Sequence, residues 1–269
     1  MITLYHKEVA EATIRRADAS IYPSNCYAKT VSNYDVIAKF YDSVVADPSD
    51  KARWLKQLIQ TYNPTARSVL ELACGTGGLL VVLAETYRVA GLDNSAGMLT
   101  VAREKLPDAP FFQADMADFT LGEQFDAILC IYDSINHLLN FSEWESLFAH
   151  AAAHLNPDGI LIFDMNTAAF LRSLLTTPPS VSHFSNNTMT IGARPGPGAT
   201  TVLEVVVAET RVDGSIVHHE TEIPEVSFSV PQVRAALEKK FTVLAELGEQ
   251  RSTKWTAEDN KIVWVCRRR

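Results

Sequence analysis

Residues 68–78 read Ser-Val-Leu-Glu-Leu-Ala-Cys-Gly-Thr-Gly-Gly, and the next apolar run, Val89-Ala-Gly-Leu, ends in Asp93. Val69–Ala73 is short, apolar and bounded by glycine, the pattern of a strand buried on both faces. Gly75 and Gly77 let the chain turn tightly and let its backbone approach a ligand closely. Gly78–Glu85 then opens a helix, whose first N–H groups have no partner within the helix and favour a negative group. A carboxylate at the end of the second strand, Asp93, can accept both hydroxyl protons of a ribose. Strand, glycine turn, helix and distant acid together predict a grip for an adenosine-type ligand.

Around this stretch, strand and helix alternate. Strands are expected at Val69–Ala73, Val89–Leu92, Phe111–Ala114, Phe125–Tyr132 and Ile160–Phe163, with helices at Gly78–Glu85, Ala96–Lys105 and Trp144–Leu155. Asn156-Pro-Asp-Gly reads as a turn. Upstream, Tyr34–Asp42 reads as a helix with Tyr34, Ile37, Ala38 and Tyr41 on one face, and a second helix covers about 50–62 around Trp54, Leu55, Leu58 and Ile59. Alternation of this kind implies a parallel sheet with helices on both faces. The texture changes near residue 175, at Thr176-Thr-Pro-Pro. Residues 187–230 alternate as β structure, with Asp213-Gly214 as a hairpin signal and the glycine-rich 192–199 as a connection. Helix returns at Val233–Lys240, and Phe241–Leu247 and Ile262–Cys266 read as the last two strands of the main sheet. The expected fold is α/β: a Rossmann-like, seven-stranded, mostly parallel sheet flanked by helices, with an inserted antiparallel β unit. The main domain takes 34–174 and 231–269, the insertion takes 175–230 and covers the site, and 1–33 is an extension or lid. In that extension Val9, Ala12 and Ile14 share a helix face before a break at Tyr22-Pro23.

Composition narrows the class. The chain has 269 residues, 47% of them hydrophobic, enough for one large core or a core with an accessory unit. The net charge of −8 lacks the basic excess of a phosphate-backbone binder, so nucleic acid is not an expected partner. No apolar run reaches the length of a membrane span. The four cysteines, Cys26, Cys74, Cys130 and Cys266, show no C-x-x-C spacing, so no metal site is expected. Cys74 and Cys130 lie in apolar strand-like runs, and a reduced, cytoplasmic setting fits them.

Two details choose among adenosine ligands. The dinucleotide fingerprint G-x-G-x-x-G needs glycine or alanine at position 80, where Leu80 stands. Glu71 sits four residues before Gly75, where a carboxylate repels a pyrophosphate but suits an ammonium and a sulfonium. The contrast favours S-adenosylmethionine (SAM) over NAD. Glu71-Leu-Ala-Cys-Gly-Thr-Gly, Gly91-Leu-Asp-Asn-Ser-Ala-Gly-Met-Leu, Gln113-Ala-Asp-Met-Ala-Asp-Phe and Leu155-Asn-Pro-Asp-Gly-Ile-Leu-Ile-Phe-Asp resemble, in order and spacing, the successive signatures of class I SAM-dependent methyltransferases. The resemblance covers roughly 34–170 and extends to the C-terminus through the last two strands. It implies that Glu71 and the 73–77 backbone (Ala73, Gly75, Thr76, Gly77) face the methionine part of SAM. Asp93 would hold the ribose, Asn94 and Met98 would border the adenine, and Asp115 would bond its amino group, with Met116 in contact. Ile131 would lie beside the methionyl part, and S-adenosylhomocysteine (SAH) would be the product.

A methyl transfer needs an aligned acceptor, exclusion of water and, where necessary, a base. The segment after the fourth strand, Tyr132-Asp-Ser-Ile-Asn-His-Leu138, is unusually polar, and such loops carry function. His137 is the candidate base, because imidazole titrates near neutral pH, or else a histidine that caps the next helix or bonds a backbone carbonyl. Asp133 and Asn136 would orient a substrate amine or cap a turn. Tyr34-x-x-Ile-Ala-x-x-Tyr-Asp, the Ser134–Leu138 stretch and an insertion containing His218-His-Glu resemble the small-molecule N-methyltransferases, among them the amino-sugar N,N-dimethyltransferases. By that resemblance Tyr34 closes over SAM, His137 lies near the acceptor, and the insertion helps choose the substrate. His218 and His219, adjacent on a strand, point to opposite faces and cannot chelate one metal. From 171 to 230, Arg172, Arg194 and Arg211 face Glu204, Glu209, Asp213, Glu220, Glu222 and Glu225, a balance that tilts from a nucleotide diphosphate towards a neutral or cationic acceptor. The expectation is a SAM-dependent methyltransferase acting on a small-molecule amine. A small-molecule O-methyltransferase, a nicotinamide oxidoreductase and a non-catalytic SAM-binding protein stand as alternatives. Residues 1–33 are left as a lid, a homodimer contact or neither.

Overall fold

A computed structural model describes residues 32–248 and 254–269. The expectations for 1–31, including the helix face of Val9, Ala12 and Ile14, and Cys26, lie outside the described residues. The strands are β1 (Ser68–Leu72), β2 (Arg88–Asp93), β3 (Phe111–Gln113), β4 (Phe125–Cys130), β5 (Leu155–Asn166), β6 (Ser180–Phe184), β7 (Asn187–Pro195), β8 (Thr201–Thr210), β9 (Ile216–Glu225), β10 (Phe241–Leu247) and β11 (Lys261–Arg268). The main sheet has seven strands in the order β10-β11-β5-β4-β1-β2-β3. From β5 to β3 all pairs are parallel, while β11 runs antiparallel to both neighbours. A separate antiparallel sheet, β6-β7-β8-β9, falls in the chain between β5 and the last two strands.

Helices cover both faces of the main sheet, because its central strands are apolar on both. They are α1 (Ser49–Tyr62), α2 (Gly78–Leu83), α3 (Ala96–Lys105), α4 (Phe141–Ala153), α5 (Ala168–Leu174) and α6 (Val230–Leu237). Leu55 and Ile59 of α1 and Leu80 and Leu83 of α2 pack with Val69, Leu129, Ile162 and Val265. Trp144 and Phe148 of α4 and Leu237 of α6 pack with Leu70, Leu72, Phe163 and Trp264 on the other face. Phe163 and Trp264 are cross-strand partners and stack with ring centroids 5.9 Å apart.

Local boundaries move for identifiable reasons. α4 begins at Phe141 rather than Trp144, because Asn140 and Glu143 form a reciprocal capping box one turn earlier. β4 ends at Cys130 rather than Tyr132, because Tyr132 and Asp133 take φ of 62° and 55°, which leaves the ladder. Asn156-Pro-Asp-Gly does turn, with Asp158 at φ 62°, but as an irregularity inside β5: Leu155 pairs with Phe125, and the ladder resumes at Ile160 with Ala127. The helix expected over 34–42 is two pieces, a 3₁₀ turn at Asn33–Val36 and a single α turn at Ala38–Tyr41. β7 continues to Pro195, so only the second half of the glycine-rich stretch is a connection, and Gly214, at φ 82°, sits in the β8–β9 hairpin.

The 33–42 segment bridges the two sheets. Ile37 and Phe40 bury themselves against Met189, Val205, Val207 and Ile223 of the second sheet. Asn33 donates to the Glu222 carbonyl (2.6 Å) and accepts from the Thr221 hydroxyl (2.9 Å). At its other side Asp35 accepts from the Ser95 hydroxyl (2.5 Å) and the Gly97 N–H (2.8 Å), and Asp42 accepts from Thr76 (2.6 Å). A short, poorly helical stretch is thereby fixed across the carboxyl ends of β1 and β2.

Candidate active site

Backbone strain concentrates where the carboxyl ends of β1 and β4 meet. Ala73, Tyr132 and Asp133 are non-glycine residues with φ of 54°, 62° and 55°. Such conformations cost energy and persist where the surroundings over-determine them, often at functional sites. Beside them runs the glycine turn, with Gly75 at φ 54° and Gly77 at φ 71°. An added Cβ at Gly75 would meet no protein atom within 4 Å, so glycine there keeps room open as well as supplying the fold of the turn.

Asp93, at the end of β2, is buried and holds this turn. Its carboxylate accepts the Gly75 N–H (2.8 Å) with one oxygen and the Ser95 N–H (2.8 Å) with the other. Burial raises its pKa, against the opposing pull of those N–H groups and of His137. Ser95 in turn caps α3 by accepting the Met98 N–H (3.0 Å). Glu71 of β1 is 2% exposed, and its Oε2 has no hydrogen-bond partner in the protein. Burial, then the nearby Asp93, pushes its carboxyl well above the usual range. A buried acid in this state is short of a cation.

Asn94 is exposed beyond Asp93, and Met98 is buried beneath it on α3. Asp115 is half-buried and uses one oxygen to accept the Ala117 N–H (2.8 Å), while Met116 packs into the core beside it. Ile131 is buried at the exit of β4.

Above that exit the Tyr34 hydroxyl and His137 Nε2 are 3.1 Å apart, with the rings edge-on at 5.6 Å. Burial, then Tyr41, Asp133, Glu225 and Asp93, raise the Tyr34 phenol, so it keeps its proton at neutral pH. Burial lowers the His137 pKa and outweighs Asp133, the Pro224 carbonyl and Asp93, which pull it up. The imidazole is therefore neutral near pH 7. A neutral ring does not repel a sulfonium, and a charged one would.

The sequence left Asp133 and Asn136 between substrate and turn, and the structure separates them. Asn136 is fully buried. Its amide donates to the Val226 and Asn166 carbonyls (2.8 and 3.2 Å) and its oxygen accepts the Asn166 N–H (2.9 Å), so it joins β5 to the segment after β9 and both of its N–H donors are used. These bonds make Asn136 a crosslink between two segments of the chain. Asp133 is a quarter exposed, pairs with Lys261 (2.5 Å) and accepts from the Asn166 amide (3.0 Å).

Five residues absent from the sequence expectation for the site form a network with Asp133: Lys51, Asp164, Asn166, Glu225 and Lys261. Asp164 is fully buried. It accepts the Asp133 N–H (2.6 Å) and pairs with Lys51 (2.9 Å). Burial opposes its charge, but Lys261, Lys51 and the Asp133 N–H together hold its pKa below the usual range. Glu225 is 2% exposed and accepts from the Asn166 amide (3.1 Å); burial, then Asp133, pushes its carboxyl up to about 7. Only Asp164 had a local signal, as the acid closing the apolar run of β5. The acid excess of the insertion also loses its weight, because Glu204 and Glu222 share Arg194 (3.2 and 2.7 Å), and Glu209 holds Lys39 and His219 (both 2.7 Å). His218 is exposed and His219 turns inward, as alternation requires. Among the described residues no cluster of three or more metal-ligating side chains occurs, and no helix is long and apolar enough to cross a membrane.

The site fits SAM on its own chemistry: an unpartnered buried carboxyl for the ammonium, open room at Gly75, and Asp93 beside the turn. Comparisons with known proteins agree. A methyltransferase-domain family model matches residues 69–159. The chain is 36% identical over 200 residues to dTDP-3-amino-3,6-dideoxy-alpha-D-glucopyranose N,N-dimethyltransferase of Streptomyces fradiae, an alignment covering 68% of this chain and 74% of that one. Among solved structures it is similar to DesVI of Streptomyces venezuelae (TM-score 0.71, 26% identity, covering 88% of this chain and 98% of that one). It is also similar to the sugar N-methyltransferase KedS8 of Streptoalloteichus sp ATCC 53650 (TM-score 0.73, 25% identity, 93% and 97%).

Proposed function

The chain belongs to the SAM-dependent methyltransferases, and on that premise we propose that its acceptor is the amine nitrogen of a small molecule, an amino sugar in the first instance. SAM supplies an electrophilic methyl on a sulfonium, and the chain's residues have to bind, orient and keep water out. In this assignment Glu71 takes the ammonium of the methionine part, with the Ala73–Gly77 backbone and Ile131 beside it. Asp93 takes the ribose hydroxyls, and Asn94, Met98, Asp115 and Met116 line the adenine. Tyr34, on the segment that Asp35 and Asp42 tie to Ser95 and Thr76, closes the site from above. The acceptor lies on the side of His137, between the exit of β4 and the second sheet, which forms its outer wall.

The observation that carries the amine is the similarity to an amino-sugar N,N-dimethyltransferase over two thirds of the chain. The charges that act on His137, Asp133 and Asp93, are acids, with Lys261 paired to Asp133, and the neutral Tyr34 phenol meets the ring; this supports the amine, because an acidic surround favours an incoming ammonium over a phenolate or carboxylate. The test is to incubate the protein with SAM and a panel containing glucosamine, dTDP-linked amino sugars, aliphatic diamines and phenols, and to follow the mass gain of one methylene. Methylation confined to amines is expected. Transfer to phenols with every amine untouched would show the O-directed alternative to be right.

A further inference from the structure

We infer that Asp133, Asn166 and Glu225 form the seat of the acceptor's protonated amine, and that Glu225 takes the proton this amine must lose before it can attack. The inference rests on the amine assignment above and names the groups that carry it out.

Asn166 stands at the end of β5, Glu225 at the end of β9 and Asp133 in the loop after β4, so three separate elements deliver them to one point. The two amide hydrogens of Asn166 go to Asp133 Oδ2 (3.0 Å) and Glu225 Oε2 (3.1 Å). That fixes which end of the amide is oxygen, since a carboxylate oxygen needs a donor. Asn166 is 3% exposed, and its Oδ1 has no hydrogen-bond partner. A buried carbonyl oxygen without a donor is costly, and in native structures it has a reason. Here Asn166 lies between two carboxyl groups; Lys261 already meets Asp133 Oδ1 (2.5 Å), so Asn166 Oδ1 and the carboxylate form of Glu225 are the acceptors left for a further donor. An ammonium, with its several donors, is the ligand that satisfies such a set; a hydroxyl brings one donor and no charge. Asp133, a quarter exposed, is the open side of the seat.

The charges that act on Glu225 are Asp133 and Lys261, and Asp164 joins these to Lys51. Lys51 from α1 and Lys261 from β11 meet Asp164 and Asp133. Two lysines against two aspartates leave this network neutral while Glu225 holds a proton, and with one negative charge when it does not. His137 and Tyr34 close the near side as neutral groups at neutral pH. The site is therefore able to hold one exchangeable proton. In the step, an N–H bond of the ammonium breaks and its proton goes to the Glu225 carboxylate, leaving the electron pair on nitrogen. That pair forms the N–C bond to the methyl, and the C–S electron pair leaves on sulfur. Glu225 returns the proton to solvent when the methylated ammonium departs. Burial, which pushes Glu225 up to about 7, matches it to this exchange at physiological pH.

The experiment is Glu225→Gln, measured as kcat and kcat/KM against pH with the amine of the panel that is turned over fastest. Wild-type kcat/KM should rise with pH through an acidic limb near 7, and the limb of kcat should lie lower because the bound ammonium favours the Glu225 carboxylate, whereas a limb of kcat/KM set by His137 would lie below the ordinary imidazole value. Glu225→Gln should still be stabilised by SAH, lose about 100-fold or more in kcat and lose the acidic limb of kcat/KM. A variant that binds SAH and keeps both turnover and limb would overturn the inference and leave amine methylation standing. A wild-type protein that binds SAH and methylates no amine would overturn the amine assignment and this inference with it. If Glu225→Gln does not fold, Asp133→Asn decides: removing the like charge beside Glu225 should move the limb to lower pH and raise the KM of the amine, and an unmoved limb refutes the inference.

Discussion

Glu225 makes a stability prediction that needs no substrate. Its carboxyl is held at about 7 in the folded protein, against 4.5 for the free group. The unfolded chain therefore gives up its proton first as pH rises. Between these values the folded state binds more protons, so stability falls with rising pH. The cost is negligible well below 4.5 and complete above 7. At ~1.36 kcal/mol per pH unit, the growth of this penalty from pH 5 to pH 8 comes to about 2.5 kcal/mol. Glu225 is 2% exposed, so solvent screening takes little from it. Glutamine can still accept from Asn166 and has no proton to lose. Glu71 and Asp93, also raised by burial, are common to both proteins and cancel in the difference. Melting curves of Glu225→Gln and wild type, both free of SAM, should diverge as pH rises from 5 to 8. The gap should widen by about 5–10 °C in favour of the variant, at the ~2–4 °C per kcal/mol expected for a unit of this size. Two curves that stay parallel across this range would refute the assignment of a proton to buried Glu225.

Other perturbations test the rest of the site. Asp93→Ala removes the acceptor of the Gly75 and Ser95 N–H groups and should abolish the melting shift given by SAH, while NAD gives none with either protein; a SAH shift unchanged in the variant would count against the ribose assignment. His137→Ala should lower turnover far more than SAM affinity measured by calorimetry, and full activity would make this histidine structural. Tyr34→Phe breaks the 3.1 Å contact to His137 and should cost about 1 kcal/mol of stability, read from denaturant midpoints. Gly91→Ala should destabilise the protein by ~1–3 kcal/mol, because the new Cβ would lie 2.6 Å from Cys74 Sγ and 2.7 Å from the Phe111 ring, both core-packed; a neutral melting temperature would contradict the packing of β2 against β3.

The strand-and-helix order was legible because it is written in neighbours. Val69–Leu72, Val89–Leu92 and Phe125–Cys130 are apolar runs bounded by turn residues, and α3 spans Ala96–Lys105 as the periodicity predicts. Boundaries slipped where a side chain or a strained backbone intervened, as with the Asn140–Glu143 box and the positive φ of Tyr132 and Asp133. Each of those has a cause that hydrophobic period does not carry.

The amino-acid sequence by itself determined the succession of strands and helices, the glycine turn and the placing of Glu71 and Asp93 on the two strands beside it, since each rests on spacing within one supersecondary unit. The tertiary structure decided the chemistry around the acceptor. Lys261 meets Asp133 across 128 positions, Glu225 meets Asn166 across 59, and Tyr34 meets His137 across 103. Charge counts along the chain set six acids of the insertion against three arginines, yet Glu204, Glu209 and Glu222 hold Arg194, Lys39 and His219 on neighbouring strands and on the 33–42 segment. The energy of a buried charge is set by its partners and its burial, and both exist only once distant segments have come together.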